Sequence, residues 1–293
     1  MIHMKLQLPY LVNIPPFMLK GLENVEISFP KKLYLIIKGK LVSLIIKATN
    51  GKLFCFLLNL LFKHDGRINF DGKYYLKNIS NNEKIYYPNK RIQRVLVNYE
   101  LHLERLISSY NLDSLDFTDD DVLVDCGSNV GELNLALKNK NIHLKYIAFE
   151  PDNQAYECCI LNNKSDKDNI HNVALSINSD EKPFYKDSYG GNSSLVDFGT
   201  SIETKIKTMK LDDFKIKQIK LLKIDAEGYE PEVLSGSIDT LRETEYVAVD
   251  FGPERGLDQK DTIIEVNNFL TDKGFKLLNF EINRITGLYK NVN

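Results

Sequence analysis

Residues 121–131 read DVLVDCGSNVG, and their reading decides the fold. An apolar run ends in Asp125, a glycine follows, and a second glycine comes four residues later, where NVGELNLALKNK (129–140) takes up helical spacing. A strand that turns through glycine into a helix opens a βα unit. The same alternation continues outward. LKYIAFE (144–150) reads as a strand, 152–163 as a helix and NIHNVAL (169–175) as one short strand. After a polar stretch (176–210) with expected antiparallel strands, IKLLKID (219–225) is a strand and PEVLSGSIDTL (231–241) a helix, with Pro231 suited to its first turn. TEYVAVDF (244–251), FKLLNF (275–280) and RITGLYK (284–290) are further strands, and TIIEVNNFLTDKG (262–274) is a helix. The pattern predicts an α/β protein whose seven-stranded, mostly parallel sheet is doubly wound, with helices on both faces.

The first hundred residues are different. Residues 1–30 carry Pro9, Pro15, Pro16 and Pro30 and read as loop. Residues 31–48 and 52–63 read as two amphipathic helices around 49–51. RINFDGKYYLKN (67–78) reads as a hairpin turning at Asp71-Gly72, and 98–110 as a helix. The expected division is an N-terminal extension of helices and a hairpin, 1–97, followed by the α/β domain, 98–293.

At 43% hydrophobic and 27% charged, the 293 residues can bury a real core. The net charge of −2 gives no case for a nucleic-acid partner. Its distribution is uneven, because residues 1–64 hold nine lysines against two acids. Such an end can meet an anionic partner. Two readings of residues 31–63 stand: peripheral contact with an anionic membrane or lipid-linked glycan, or a helical subdomain packed on the catalytic sheet with solvated lysines. The four cysteines form no CxxC, which suits a reducing cytosol. The longest apolar run, 53–62, is half the length of a membrane span. The chain is therefore expected in the cytoplasm, with contact at the inner face of the membrane as the sharper alternative. The loop YGGNSSL (189–195) suits a lid over an acceptor pocket or a plain hairpin turn.

Gly127 and Gly131 let backbone approach a ligand, but their spacing is not the GxGxxG of a dinucleotide site. Asp125 would repel a pyrophosphate. Glu150, ending the second strand, can accept two hydrogen bonds from a ribose diol. Together these residues describe a nucleoside cofactor without phosphates, a description that S-adenosylmethionine meets.

DVLVDCGSNVG, AFEPDNQAYECCILNN, HNVALS and LLKIDAEGYEPEVLSG, in that order, resemble the FkbM family of S-adenosylmethionine-dependent methyltransferases, over about residues 98–250. The resemblance implies a Rossmann-like class I methyltransferase sheet. It places Asp125, Gly127, Ser128, Asn129 and Gly131 around the methionine part of the cofactor, Glu150 on its ribose, and Asn172, Val173 and Ala174 near its adenine. Ser128 stands where the family often has alanine or a similar small residue. Residues 1–90 carry no part of the resemblance.

The segment LLKIDAEGYE (221–230) places Lys223, Asp225 and Glu227 at alternate positions. Three charges on one strand face are costly unless paired or used. Ligands of open α/β sheets sit beyond the carboxyl ends of the strands, which is where these charges lie. They form the expected catalytic set. Asp225 would take the acceptor's proton or hold its hydroxyl. Lys223 would stabilise an oxyanion, or act as base if its pKa is depressed. Glu227 would orient Lys223 or bind substrate. Asp250, ending the next strand, could join Asp225 in holding a magnesium ion, an option left open.

The expected function is methyl transfer from S-adenosylmethionine to a hydroxyl, on a saccharide or glycan by preference and on a polyketide or other small metabolite as the alternative. Two other classes stay in view: a nicotinamide-dependent oxidoreductase and a non-catalytic nucleoside-cofactor-binding protein.

Overall fold

The computed structural model describes residues 14–22, 25–63, 66–80, 83–187, 193–199 and 203–293. Residues 189–192 of the expected lid loop, and residues 1–13, 23 and 24 of the expected N-terminal loop, lie outside the described residues. The chain divides into two compact units, Met1–His102 and Leu103–Asn293.

In the first unit a 3-10 turn, Pro16–Leu19, precedes α1 (Phe29–Ala48) and α2 (Gly51–Leu61). Pro30 stands in the first turn of α1, and the Thr49 N–H closes the helix on the Ile45 carbonyl. Strands β1 (Ile68–Phe70), β2 (Tyr75–Ser80) and β3 (Glu83–Tyr87) make an antiparallel sheet. The turn between β1 and β2 falls at Asp71-Gly72 as expected. Asp71 Oδ1 accepts from the N–H groups of Lys73 and Tyr74, both at 2.8 Å, and Gly72 takes a φ of 110°. The third strand, β3, was not anticipated. Phe54, Leu58, Ile68, Ile85 and Ile92 are fully buried and make the unit's core. Lys77 is buried there too, its ammonium donating to the carbonyls of Val95 at 2.7 Å and Leu96 at 2.8 Å.

Helix α3 (Tyr99–Ser109) leads into β4 (Val122–Cys126), α4 (Glu132–Asn139), β5 (Lys145–Phe149), α5 (Asn153–Asn162), β6 (Ile170–His171), β7 (Ala174–Leu175), β8 (Glu181–Tyr185), β9 (Glu203–Met209), β10 (Ile219–Ile224), α6 (Glu230–Ser235), α7 (Ile238–Arg242), β11 (Thr244–Asp250), α8 (Ile263–Asp272), β12 (Phe275–Glu281) and β13 (Thr286–Asn291). Seven strands form one sheet in the order β12-β13-β11-β10-β4-β5-β6. The pairs from β11 to β6 are parallel, and β13 runs antiparallel to both β11 and β12. The α/β sheet is as expected, including its seven strands. Every residue of β4 is buried, as a central strand covered on both faces requires.

Three elements differ from the sequence reading for local reasons. Residues 231–241 form two helices, not one. A side chain at Gly236 would stand 2.1 Å from the Ser176 carbonyl, so the backbones meet there and the helix breaks. Residues 169–175 divide between two sheets at Asn172, whose amide donates to the carbonyls of Glu150 at 2.8 Å and Pro151 at 3.1 Å. Beyond it β7 leaves the main sheet to pair with β9, which also pairs antiparallel with β8 as the polar stretch suggested. Finally, β10 stops at Ile224, and Glu227 takes a left-handed φ of 52°. The charge trio therefore does not share one extended strand.

The connections from β4 run to β5 on one side, while β10 pairs on the other. The gap between the carboxyl ends of β4 and β10 is thus the switch point of the sheet, where open α/β proteins bind ligands.

Candidate active site

The loop after β4 is built around positive φ: 74° at Gly127, 49° at Asn129 and 75° at Gly131. At Gly127 a Cβ would stand 1.8 Å from the Asp225 carbonyl oxygen, so only glycine lets the loop lie against the end of β10. The Cys126 carbonyl accepts the Asp225 N–H at 3.1 Å and ties the two strand ends together.

Lys223 locks that joint. Its ammonium donates to the carbonyls of Gly127 at 2.8 Å and Cys126 at 3.2 Å, stands 3.0 Å from Asp125 Oδ1 and 3.8 Å from Asp225 Oδ2. Burial alone would lower its pKa. The carboxylates of Asp125 and Asp225 outweigh burial and hold it above the ordinary lysine value. The reading of Lys223 as a base with a depressed pKa is thereby corrected: it is a charged, enclosed tie. Asp125 is 1% exposed. Its carboxylate accepts from the Tyr146 hydroxyl at 2.8 Å and pairs with Lys223, so its charge is met inside the protein. Ser128 follows Gly127 in the loop. Its hydroxyl lies 3.7 Å from Cys159 Sγ, its N–H donates to the Phe149 carbonyl and its carbonyl accepts from Gly131. Each of its polar groups has a partner in the protein.

Glu150 stands just past β5. One carboxylate oxygen accepts from Asn129 N–H at 2.7 Å and the other from Asp152 N–H at 2.8 Å. Burial pushes its pKa up to about 7, against the pull of those two N–H groups. Each oxygen keeps acceptor capacity, which is what a ribose diol requires. Asn172 is fixed on the Glu150 carbonyl, and Val173 and Ala174 are buried apolar neighbours in sequence. Glu150 as an acceptor pair beside a loop of positive φ fits the nucleoside cofactor expected from the sequence.

On the β10 side the structure brings together groups the sequence did not. Asp225 Oδ2 accepts from the Tyr110 hydroxyl at 2.6 Å and from Arg284 Nη2 at 2.7 Å. Arg284 Nε donates to Asp250 Oδ2 at 2.8 Å, and the guanidinium lies 4.3 Å from the Tyr110 ring centre. Asp225 and Asp250 are therefore bridged by a guanidinium, a cation that already occupies the place between them which the open magnesium option would use. Burial and the charge of Asp225 raise the Asp250 pKa, while Arg284 pulls it down. Arg284 stays charged, since Tyr110 and the two carboxylates more than offset its burial.

Asp225 instead meets Glu227 and Glu254. One carboxylate oxygen from each lies within 4.8 Å of the others, and among the described residues this is the set that could hold a divalent cation. The set can equally share a proton. Burial, with the nearby charge of Asp225, raises the Glu254 pKa to about 7, and Glu254 hydrogen-bonds Glu227. Glu254 follows β11, so the same strand-end rule that singled out Asp250 could have found it. Tyr110 and Arg284 carry no such signal, because each is far in sequence from Asp225.

The Methyltransferase FkbM domain matches residues 125–277, half of the chain. The methyltransferase sdnD of Sordaria araneosa is 26% identical over 191 residues, covering 52% of this chain and 71% of that one. The structure of methyltransferase FkbM from Methylobacillus flagellatus KT is 18% identical with a TM-score of 0.45, over 68% of this chain. This chain spans 54% of that protein's length. M. jannaschii TYW2 in complex with AdoMet is 10% identical with a TM-score of 0.40, over 77% of this chain and 90% of that one. With the domain matched from Asp125 at the cradle through β10 and β11 into β12, the chain belongs to the FkbM family of S-adenosylmethionine-dependent methyltransferases.

Proposed function

We propose that this protein transfers a methyl group from S-adenosylmethionine to a hydroxyl of a saccharide or glycan. The observation that carries the reading is the meeting, at one switch point, of the glycine loop with Glu150 and of the carboxylates Asp225, Glu227 and Glu254.

When bound, S-adenosylmethionine supplies a methyl group already activated on a sulfonium. The chain's own residues then have three tasks. Glu150 accepts from the ribose hydroxyls, with Asn172, Val173 and Ala174 near the adenine and the loop of Gly127, Asn129 and Gly131 along the methionine. Lys223 and Asp125 keep that loop in register with β10. Asp225 holds the acceptor hydroxyl, its own orientation fixed by Tyr110 and Arg284. The Glu227–Glu254 pair receives the proton, since a carboxyl with a pKa of about 7 changes state near neutrality. Adjacent carboxylates suit a polyol, whose neighbouring hydroxyls each need an acceptor, and this supports a glycan over a polyketide or other small metabolite. Incubation with radiolabelled S-adenosylmethionine and either glycan extracts or polyketides tests the acceptor. Label in polyketide alone would refute the glycan reading.

The spacing of the three carboxylates also favours a second reading, in which a divalent cation such as magnesium sits among them. Dialysis against a chelator separates the two: full activity afterwards supports proton sharing, and activity restored only by magnesium supports the metal.

A further inference from the structure

We infer that helices α1 and α2 form a docking surface for an anionic lipid bilayer. Helix α1 is apolar on two opposite faces. Leu35, Gly39, Val42 and Ile45 are buried within its unit. On the other side Phe29, Leu33, Ile37, Leu41 and Leu44 are spaced three or four residues apart, which sets them in one stripe. Phe29 is 77% exposed and Ile37 and Leu44 are each 62% exposed. Helix α2 repeats the arrangement: Phe54, Cys55 and Leu58 are buried, while Leu53, Phe56 and Leu60 face outward. A water-facing helix surface of this size is costly without a covering partner.

The charge around these faces identifies the occupant. Residues 27–64 contain no Asp or Glu. Lys31, Lys40, Lys47, Lys52 and Lys63 are all exposed on or beside the two helices. Protein interfaces are depleted in lysine, whereas helices that lie in a membrane surface combine an apolar face with lysines that reach anionic headgroups. No helix among the described residues is long and apolar enough to cross a membrane, so the helices would lie on the bilayer and not span it.

The test is cosedimentation of the full-length protein with vesicles of equal parts phosphatidylcholine and phosphatidylglycerol, against vesicles of phosphatidylcholine alone. Two variants accompany the native protein: Ile37→Asp with Leu44→Asp, and Lys40→Glu with Lys47→Glu. None of the four residues belongs to the candidate active site, and a circular dichroism spectrum and thermal melt matching the native protein show that the variants are folded. The expected result is binding to the anionic vesicles alone, weakened at least about tenfold by either variant and by high salt. Absence of binding to anionic vesicles would overturn the proposal, as would binding that both variants leave intact. Sedimentation velocity without lipid gives one more outcome. A self-association abolished by Ile37→Asp with Leu44→Asp, in a protein that ignores vesicles, assigns the face to a second copy and overturns the lipid reading.

Discussion

In the proposed reaction Asp225 holds the acceptor, and three other residues bear on what it can do. With Oδ2 engaged by Tyr110 and Arg284, it is an oriented acceptor. Asp225→Asn should lower kcat by about 10²–10⁴-fold and leave affinity for S-adenosylhomocysteine within about twofold. Turnover equal to the native protein would remove Asp225 from the reaction. The acid beside it sets the pH dependence. Glu254 has a pKa raised to about 7, so a proton acceptor there is protonated below that pH and free above it. We expect kcat/KM to rise between pH 6 and pH 8 and the rise to vanish in Glu254→Gln; a profile that the variant leaves unchanged would assign the limb elsewhere. Arg284 bridges two carboxylates while one-third exposed, which makes its loss moderate. Arg284→Met should cost about 2 kcal/mol in urea denaturation, with Arg284→Lys recovering part of it.

At the scale of elements, the joint between the β4 loop and β10 is held by a close backbone approach. Gly127→Ala would place a methyl 1.8 Å from the Asp225 carbonyl at a φ that disfavours side chains. It should lower stability by more than about 2 kcal/mol and abolish cofactor binding, as thermal melting and titration would show. A variant that melts and binds as the native protein does would contradict the geometry of the joint. This joint also marks how far the sequence could be read. The strands β4, β5, β10 and β11 were legible because both faces of a central strand are apolar, and the turn into α4 was legible because glycine stood on both sides of it. The break at Gly236 and the departure of β7 were not legible, since each depends on a backbone contact with a segment distant in sequence. The same limit applies to the site. Glu150 and Asp225 declared themselves at strand ends. Arg284 did not, because its meeting with Asp225 exists only once β13 pairs with β11. Lys223 was visible as a charge in a strand, but its role changed when Asp125 proved to be its partner across the β4–β10 pairing.

For the whole molecule, buried acids make stability a function of pH. Glu230 accepts from the N–H groups of Ala226 and Gly228, both at 3.0 Å, and from the Thr262 hydroxyl at 3.0 Å. Burial still raises its pKa from 4.5 to about 7. A carboxyl with a folded pKa above its unfolded value stabilises most below the unfolded pKa and loses that contribution as pH rises through the folded one. Glu230 should therefore withdraw on the order of 3 kcal/mol between pH 4.5 and pH 7, and Glu150 acts with the same sign. Glu230→Gln retains the two backbone bonds and should flatten the decline; urea denaturation at pH 5 and pH 8 that shows the native slope in the variant would contradict this. The sequence changes from lysine-rich helices to βα alternation, and the chain divides into its two compact units between His102 and Leu103. The exposed apolar stripe of α1 was not legible, because the residues read as an amphipathic helix with one apolar face and the second face lies interspersed with lysines.

The claim that everything else depends on is that Glu150 and the glycine loop hold S-adenosylmethionine. Calorimetric titration of the full-length protein with S-adenosylhomocysteine tests it, with NAD as the control ligand and Glu150→Ala as the control protein, its fold checked by circular dichroism. The native protein should bind with a dissociation constant of about 10 µM or tighter, weakened at least about tenfold in the variant, and should give no response to NAD. Binding of NAD in place of S-adenosylhomocysteine, or equal binding by a folded Glu150→Ala protein, would contradict it.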